Sequence, residues 1–277
     1  MERTGIRERR IAAADETASD LAVRAAVQAL GRAGVEPGEV DFIVVGTTTG
    51  DASVPTTANL VQHKLGCRSV GSLDLYAACS GSIYALSVGA QFIQSGKHRT
   101  VLCVGTEVLS RAVDPSDRGT SVLLGDAAGA VVLRPSEDES GLLDADLYSD
   151  GAFAELLFRP PGGTIKMKGP EVFKAAVRKL GECAARLLDR HGYGMADVDL
   201  FVPHQANLRL IEAAVARLGM PLSKVMVNVD RYGNTGAASV YVALEEAWAS
   251  RRLGHGDLVL LAAFGGGLTW GAALLRW

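Results

Sequence analysis

A large excess of charge of either sign is lacking in this sequence. Lys and Arg number 28 against 31 Asp and Glu in 277 residues, a net charge of −3. That balance gives no general electrostatic case for binding nucleic acid or an anionic membrane, so any basic docking surface must be local. Cysteine is scarce too. Cys67, Cys79, Cys103 and Cys183 form no CxxC pair, and none has a histidine at zinc-ligand spacing. This excludes a disulfide framework, implies no metal site and suits a reduced, cytoplasmic setting. No apolar run opens the chain: MERTGIRERRIAA is charged and does not read as a secretory signal. The longest uncharged stretch, Leu75 to Gly96, is interrupted by Ser80, Gly81, Ser82, Ser87, Gln91 and Gln94. It reads as a buried strand, a turn and a buried helix, and not as a membrane span. Neither GxGxxG nor GxxxxGK[ST] occurs, so dinucleotide and P-loop readings lack their motifs.

What the sequence does have is internal repetition. AVRAAVQALGRAGVEPGEVDFIVV (22–45) parallels AARLLDRHGYGMADVDLFVP (184–203). Each is an apolar-periodic helix, a glycine-marked break and an apolar strand. NLVQHKLG (59–66) parallels NLRLIEAAVARLG (207–219), two helices ending at glycine. SLDLYAACSGSIYAL (72–86) parallels MVNVDRYGNTGAASVYVAL (226–244), each read as strand, small-residue turn and helix. TVLCVGTE and DLVLLAAF read as strands, and GAVVL and GAALL close the halves. Alternating strands and helices imply βαβ units and mostly parallel, mixed sheets. The chain therefore reads as a duplicated α/β fold, with halves at 1–138 and 139–277. GLLDADLYSDG opens the second half as a strand. The first half has no counterpart before Ser19, so its first strand is expected to be missing.

In such sheets ligands collect at the carboxyl ends of strands, and three turns there carry reactive groups. Cys79 stands where a strand gives way to a helix. The helix start would favour thiolate, and its N–H groups could hold an oxyanion. A small buried cysteine is the competing reading, and Cys67, Cys103 and Cys183 fit that description. His204 follows an apolar strand, where a lone histidine is commonly a satisfied polar residue. Asn234 lies in a Gly-Asn-Thr-Gly turn, and such turns are commonly only turns. Yet its turn occupies the place in the second half that the Cys79 turn occupies in the first. A Cys, a His and an Asn on convergent strand ends make a nucleophile with two hydrogen-bond donors. That trio suits a cysteine hydrolase or an acyl-transfer enzyme, although the papain-like context is absent.

RTGIRER (3–9), AACSG (77–81), DPSDRGT (114–120), GDAAGA (125–130), VPHQANLR (202–209), GNTGAAS (233–239) and AFGGGLTWG (263–271) run from end to end. With these motifs the chain resembles β-ketoacyl-acyl carrier protein synthase III, of the thiolase fold. The Cys-His-Asn set separates it from Cys-His-His synthases and from thiolases, which need a second catalytic cysteine. The resemblance implies a five-layer αβαβα fold and a cytoplasmic homodimer without metal or redox cofactor. It implies a decarboxylative condensation of an acyl-CoA primer with malonyl-acyl carrier protein. Cys79 would carry the acyl group, His204 and Asn234 would serve the malonyl thioester, and the Cys79 and Gly266 N–H groups would form the oxyanion hole. Phe264 would gate decarboxylation. Arg3 and Arg118 would contact the CoA nucleotide, Gly169 and Asn207 would line the pantetheine channel, and Arg209 would dock the carrier protein. Arg209, Ala213 and Arg217 share one helix row, with Arg217 read as solvated surface.

Two departures bear on the primer. Ser82 stands where the family often has Phe, and Val54 where an aromatic often closes the partner's acyl pocket. Both are smaller, so a roomier primer pocket is expected. The alternatives are a secondary-metabolism relative with a non-acetyl primer and an inactive truncated paralogue.

Overall fold

The computed structural model describes residues 4–277, so Arg3 lies outside the described residues. The first sheet is built from β1 (Phe42–Gly46), β2 (Gly71–Leu75), β3 (Val101–Val108) and β4 (Asp126–Leu133), in the order β2-β1-β3-β4. β2, β1 and β3 are parallel, and β4 returns antiparallel to β3. β5 (Gly141–Ser149) opens the second half. A small hairpin, β6 (Leu157–Phe158) and β7 (Lys166–Met167), follows it. β8 (Leu200–Pro203), β9 (Leu258–Gly265) and β10 (Thr269–Arg276) join β5 in the order β5-β10-β9-β8. Here only β8 and β9 are parallel, so the second sheet is mixed with two antiparallel ladders.

The helices are α1 (Ala18–Ala33), α2 (Thr57–Lys64), α3 (Gly81–Gln94), α4 (Gly169–Arg190), α5 (Leu208–Leu218), the short α6 (Val229–Tyr232) and α7 (Ser239–Ala249). Local chemistry sets their ends. The Asp20 carboxylate accepts from the Thr17 N–H before α1, and Gly34 closes that helix at φ 61°, a left-handed position that glycine takes without steric cost. α1 and α2 cover one face of the first sheet, and α4 and α5 cover the outer face of the second. α3 and α7 lie between the sheets, touching strands of both. The result is five layers, αβαβα.

The core follows this layering. Every residue of β3 and of β9 is buried, as continuous apolar strands covered on both faces require. Each fully enclosed Leu of β9 contributes roughly 1.5–3 kcal/mol by leaving water. The middle helices press close. A Cβ on Gly105 would lie 2.3 Å from the Ala237 carbonyl oxygen, so only glycine fits where β3 meets the turn before α7.

Two sequence expectations are refined. The strand expected near Met226 is reduced to one parallel bridge, Phe201 with Val225. The uncharged Leu75–Gly96 stretch is the end of β2, a turn and α3, and no helix of the described residues is long and apolar enough to cross a membrane. Beside β4, no described residue forms the strand that β5 supplies beside β10.

Candidate active site

The pseudo-symmetry brings the carboxyl ends of the two central strand sets together. Cys79 sits in a single 3-10 turn, Ala78–Ser80, between β2 and α3. Ala78 adopts φ 46°. That left-handed conformation costs a residue with a β-carbon about 1–2 kcal/mol. The turn is held against β10: Thr269 Oγ1 donates to the Ala77 carbonyl at 2.8 Å, and Ser80 Oγ donates to the Thr269 carbonyl at 3.1 Å. A Cβ on Gly265 would lie 2.5 Å from the Cys79 nitrogen. The glycine run after Phe264 therefore lets β9 seat directly against the nucleophile turn. Among the described residues, the Cys79 and Gly266 N–H groups have no acceptor.

His204 follows β8 and is buried. Its Nδ1 lies 2.6 Å from Ser239 Oγ, which also accepts a longer bond from the Gln205 N–H at 3.4 Å. No other acceptor for the Ser239 hydrogen is found among the described residues. The hydroxyl therefore donates to Nδ1, and the ring carries its proton on Nε2. Burial lowers the His204 pKa to about 4, so the ring is neutral at pH 7.

Asn234 is held by its backbone to the other half. Its N–H donates to the Leu123 carbonyl at 2.8 Å, and its carbonyl accepts from the Gly125 N–H at 2.9 Å. Its Oδ1 accepts from the Gly236 N–H at 3.0 Å. The Nδ2 group is left without an acceptor among the described residues.

Cys79, His204, Asn234 and Phe264 all line one cavity of about 1220 Å³. Arg118, Gly169, Asn207 and Arg209 line the same cavity. Among the described residues no acidic side chain is on its walls, which suits an anionic ligand. Gly266 lies on a second cavity of about 680 Å³, which meets the first at Cys79 and Asn234 and also contains Glu107. Asn207 has a structural task as well, since its Oδ1 caps α5 by accepting from the Leu210 N–H at 2.9 Å. Arg209 is exposed, with its guanidinium 5.6 Å from the Phe173 ring centre. Arg217, lower on the same row, is exposed and runs its stem across Gly181 of α4. Thr4 and Ile6, just after Arg3, are on the wall of the first cavity.

Two sequence expectations change. Burial works against a preformed thiolate at Cys79. Withdrawal from water raises its thiol to about 12, and the nearby Glu107 carboxylate pushes the same way. The turn runs directly into α3, whose start works in the opposite direction. Ser82 opens onto neither cavity. It is fully enclosed in α3, and its hydroxyl has no partner among the described residues. Val54 is 86% exposed, and its expected place, in a partner subunit's pocket, is one that a single chain does not present. The residues missed from sequence are Ser239 and Glu107. Ser239 stands within GNTGAAS, and Glu107 is an acid near the end of an apolar strand, so position alone could have flagged both. Among the described residues, no group of three His, Cys, Asp or Glu is placed to hold a metal ion.

Comparison with known proteins agrees with this arrangement. Residues 73–151 match the family described as 3-oxoacyl-[acyl-carrier-protein] synthase III, and residues 188–277 match its C-terminal part. A β-ketoacyl-[acyl-carrier-protein] synthase III of Xanthomonas euvesicatoria pv. vesicatoria is 50% identical over 99% of this chain and 88% of its own. That of Desulfitobacterium hafniense is 48% identical, again over 99% of this chain and 88% of its own. The crystal structure of 3-oxoacyl-[acyl-carrier-protein] synthase III from Aquifex aeolicus superposes with a TM-score of 0.98 at 48% identity, covering 100% of this chain and 89% of that one. With the fold, the cavity and near full-length identity in agreement, the chain belongs to the β-ketoacyl-[acyl-carrier-protein] synthase III family of thiolase-fold condensing enzymes.

Proposed function

We propose that Cys79 is the acyl carrier of a two-step condensation, with His204 and Asn234 serving the second step. Family membership makes the chain an acyltransferase-type condensing enzyme that starts fatty-acid synthesis. The observation that carries the residue assignment is convergence. One cavity holds a cysteine, a neutral histidine with its proton on Nε2, and an asparagine amide with an unused donor.

In the first step Cys79 sulfur bonds to the acyl carbon of acyl-CoA, the carbon–sulfur bond to CoA breaks, and CoA leaves as the thiol. The free N–H groups of Cys79 and Gly266 would hold the carbonyl oxygen as charge develops on it. Arg118 would meet CoA phosphates, Gly169 and Asn207 would flank the pantetheine arm, and Arg209 would meet the acidic carrier protein.

In the second step malonyl-acyl carrier protein enters the same cavity. The bond to its carboxylate breaks and carbon dioxide departs. The electron pair becomes an enolate held by the His204 Nε2–H and Asn234 Nδ2–H groups. The enolate carbon then bonds to the acyl carbon, Cys79 sulfur leaves and regains a proton, and the β-ketoacyl-carrier protein is released. Neutral donors suit this step because the charge appears only as the bond breaks. Phe264 would bound the space that the departing carboxylate occupies. Protein groups and the two thioesters suffice for these steps.

We take the enzyme to be a cytoplasmic homodimer. Val54 and Tyr76, exposed by 86% and 70%, are side chains that a second copy would cover. The test is intact-mass measurement after adding an acyl-CoA, with Cys79→Ala as control. A gain of one acyl group in the wild type alone supports the carrier assignment, and no gain with any primer overturns it. Carbon dioxide release on adding malonyl-carrier protein then separates condensation from simple transfer.

A further inference from the structure

Glu107 is the last acidic side chain one would place in this site for stability. It is the penultimate residue of β3, is 1% exposed, and lines the second cavity beside Cys79. None of the ion pairs among the described residues includes it. A buried carboxylate without a cation costs several kcal/mol even after relaxation. Its compensation is a cage of neutral donors. The Thr48 N–H reaches its two oxygens at 3.1 and 3.2 Å, and Thr48 Oγ1 lies at 3.1 Å from each. Thr49 Oγ1 donates at 2.5 Å while accepting from the Val108 N–H at 2.8 Å. The Ala237 N–H completes the set.

These donors come from two separate places. Thr48 and Thr49 follow β1 in the first half, while Ala237 belongs to the turn before α7 in the second. Gly236, the neighbour of Ala237, has φ 54°, and a Cβ there would lie 2.9 Å from Glu107 Cγ. The Gly236 N–H in turn donates to Asn234 Oδ1. A continuous path thus runs from the carboxylate, through the Gly236–Ala237 backbone, to the amide of Asn234.

We propose that Glu107 is a positioning residue for condensation: its carboxylate clamps the Thr48–Thr49 loop to the Gly236–Ala237 turn and so fixes the Asn234 amide over Cys79. This rests on the assignment of Asn234 to the second step. Four donors need the acceptors of an ionised carboxylate, and protonation removes part of that capacity. Burial raises the Glu107 pKa to about 7, against the lowering effect of its hydrogen bonds. Cys79 is the titratable group facing it across the cavity. On the same loop Asp51 is engaged by Ser19, and Arg159 reaches the carbonyls of Thr48 and Gly163 and not the Glu107 carboxylate. Neither Cys79, near 12, nor His204, near 4, changes charge around neutrality.

The test compares the two half-reactions in the full-length wild type, Glu107→Gln, Asn234→Ala and the double variant. Acyl transfer to Cys79 is read by intact mass, and condensation by carbon dioxide release from malonyl-carrier protein, from pH 5.5 to 8.5. The wild type should show an inflection in condensation near pH 7, with activity lost below it, while acylation follows the Cys79 thiolate fraction smoothly with no inflection there. Glu107→Gln should lose at least about tenfold more in condensation than in acylation, and lose the inflection, because small displacements of a donor have large effects. The double variant should be no slower in condensation than Asn234→Ala. Equal losses in both steps, or additive losses in the double variant, overturn the proposal. If Asn234→Ala itself condenses normally, the assignment of Asn234 has failed instead. Should Glu107→Gln not fold, Thr49→Val removes one donor from the cage and must give the same split in smaller degree. A wild-type profile without the inflection overturns the proposal on its own.

Discussion

Nδ1 of His204 and the hydroxyl oxygen of Ser239 stand 2.6 Å apart in a corner where both residues are buried. The contact joins the end of β8 to the first residue of α7 and decides which ring nitrogen carries the proton. Ser239→Ala removes the one partner, among the described residues, that fixes the Nε2–H form. Condensation should fall roughly tenfold or more, as expected when a buried imidazole loses its tautomer control, and acylation of Cys79 should fall much less. The variant should also lose about 1–3 kcal/mol of stability, since Nδ1 is left buried without a partner. Half-reaction rates beside a urea titration check both. Equal slowing of the two steps would show that Ser239 only supports the fold.

Cys79 should behave as a thiol held high. With its pKa pushed up to about 12 by burial and by Glu107, the thiolate fraction stays small throughout the neutral range. Alkylation by iodoacetamide should rise about tenfold per pH unit from 6 to 9 without a plateau. A plateau below pH 8 would mean that the turn stabilises a resting thiolate after all. The rate should be followed by peptide mass mapping, which separates Cys79 from the buried Cys67, Cys103 and Cys183.

Much of this site was legible in the sequence because repetition carries geometry. Once the Cys79 turn and the Asn234 turn occupied equivalent places, pseudo-twofold packing had to bring them together. The bridge between Leu124 and Asn234, and the approach of Gly81 to Ala237, are that packing. Glu107 stayed hidden because its partners lie 58 and 59 residues upstream and in the other half, and no local pattern reports such a contact. Charge state was also beyond reach. The start of a helix suggested a thiolate, but how far Cys79 is withdrawn from water is a property of the assembled layers. Ser82 shows the reverse error. Its small size suggested space for a primer, yet its side chain is enclosed within α3 and away from both cavities.

Gly265→Ala tests how tightly the glycine run seats the nucleophile. The added methyl would lie 2.5 Å from the Cys79 nitrogen and 3.2 Å from that of Ser80, and neither is a flexible side chain that could yield. The turn must shift, taking one oxyanion donor with it. Acylation should slow by about a hundredfold or more, with a stability loss of about 1–3 kcal/mol from overpacking. Gly34→Ala is the control. It sits at φ 61°, and its added methyl meets nothing within 4 Å, so it should cost stability without touching the chemistry. If both variants keep full acylation rates, the Cys79 N–H is not an oxyanion donor.

The pH dependence of stability should show two buried groups opposing one another. His204 has its pKa lowered from 6.5 to about 4, so between those values the unfolded chain binds more protons. Its contribution falls as pH drops from 6.5 toward 4, by about 3 kcal/mol in all. Glu107 has its pKa raised from 4.5 to about 7, so the folded chain binds more protons in that window. Its contribution falls as pH rises from 4.5 toward 7, by a similar amount. Across pH 4.5 to 6.5 the two slopes cancel in the wild type. Glu107→Gln should uncover the His204 slope and lose stability steadily from pH 6.5 down to 4. His204→Gln should uncover the opposite slope and lose stability as pH rises from 4.5 to 7. Urea titrations at half-unit steps, taken as differences from the wild type, remove the background from exposed carboxylates. Parallel curves for all three proteins would mean that burial shifts neither group.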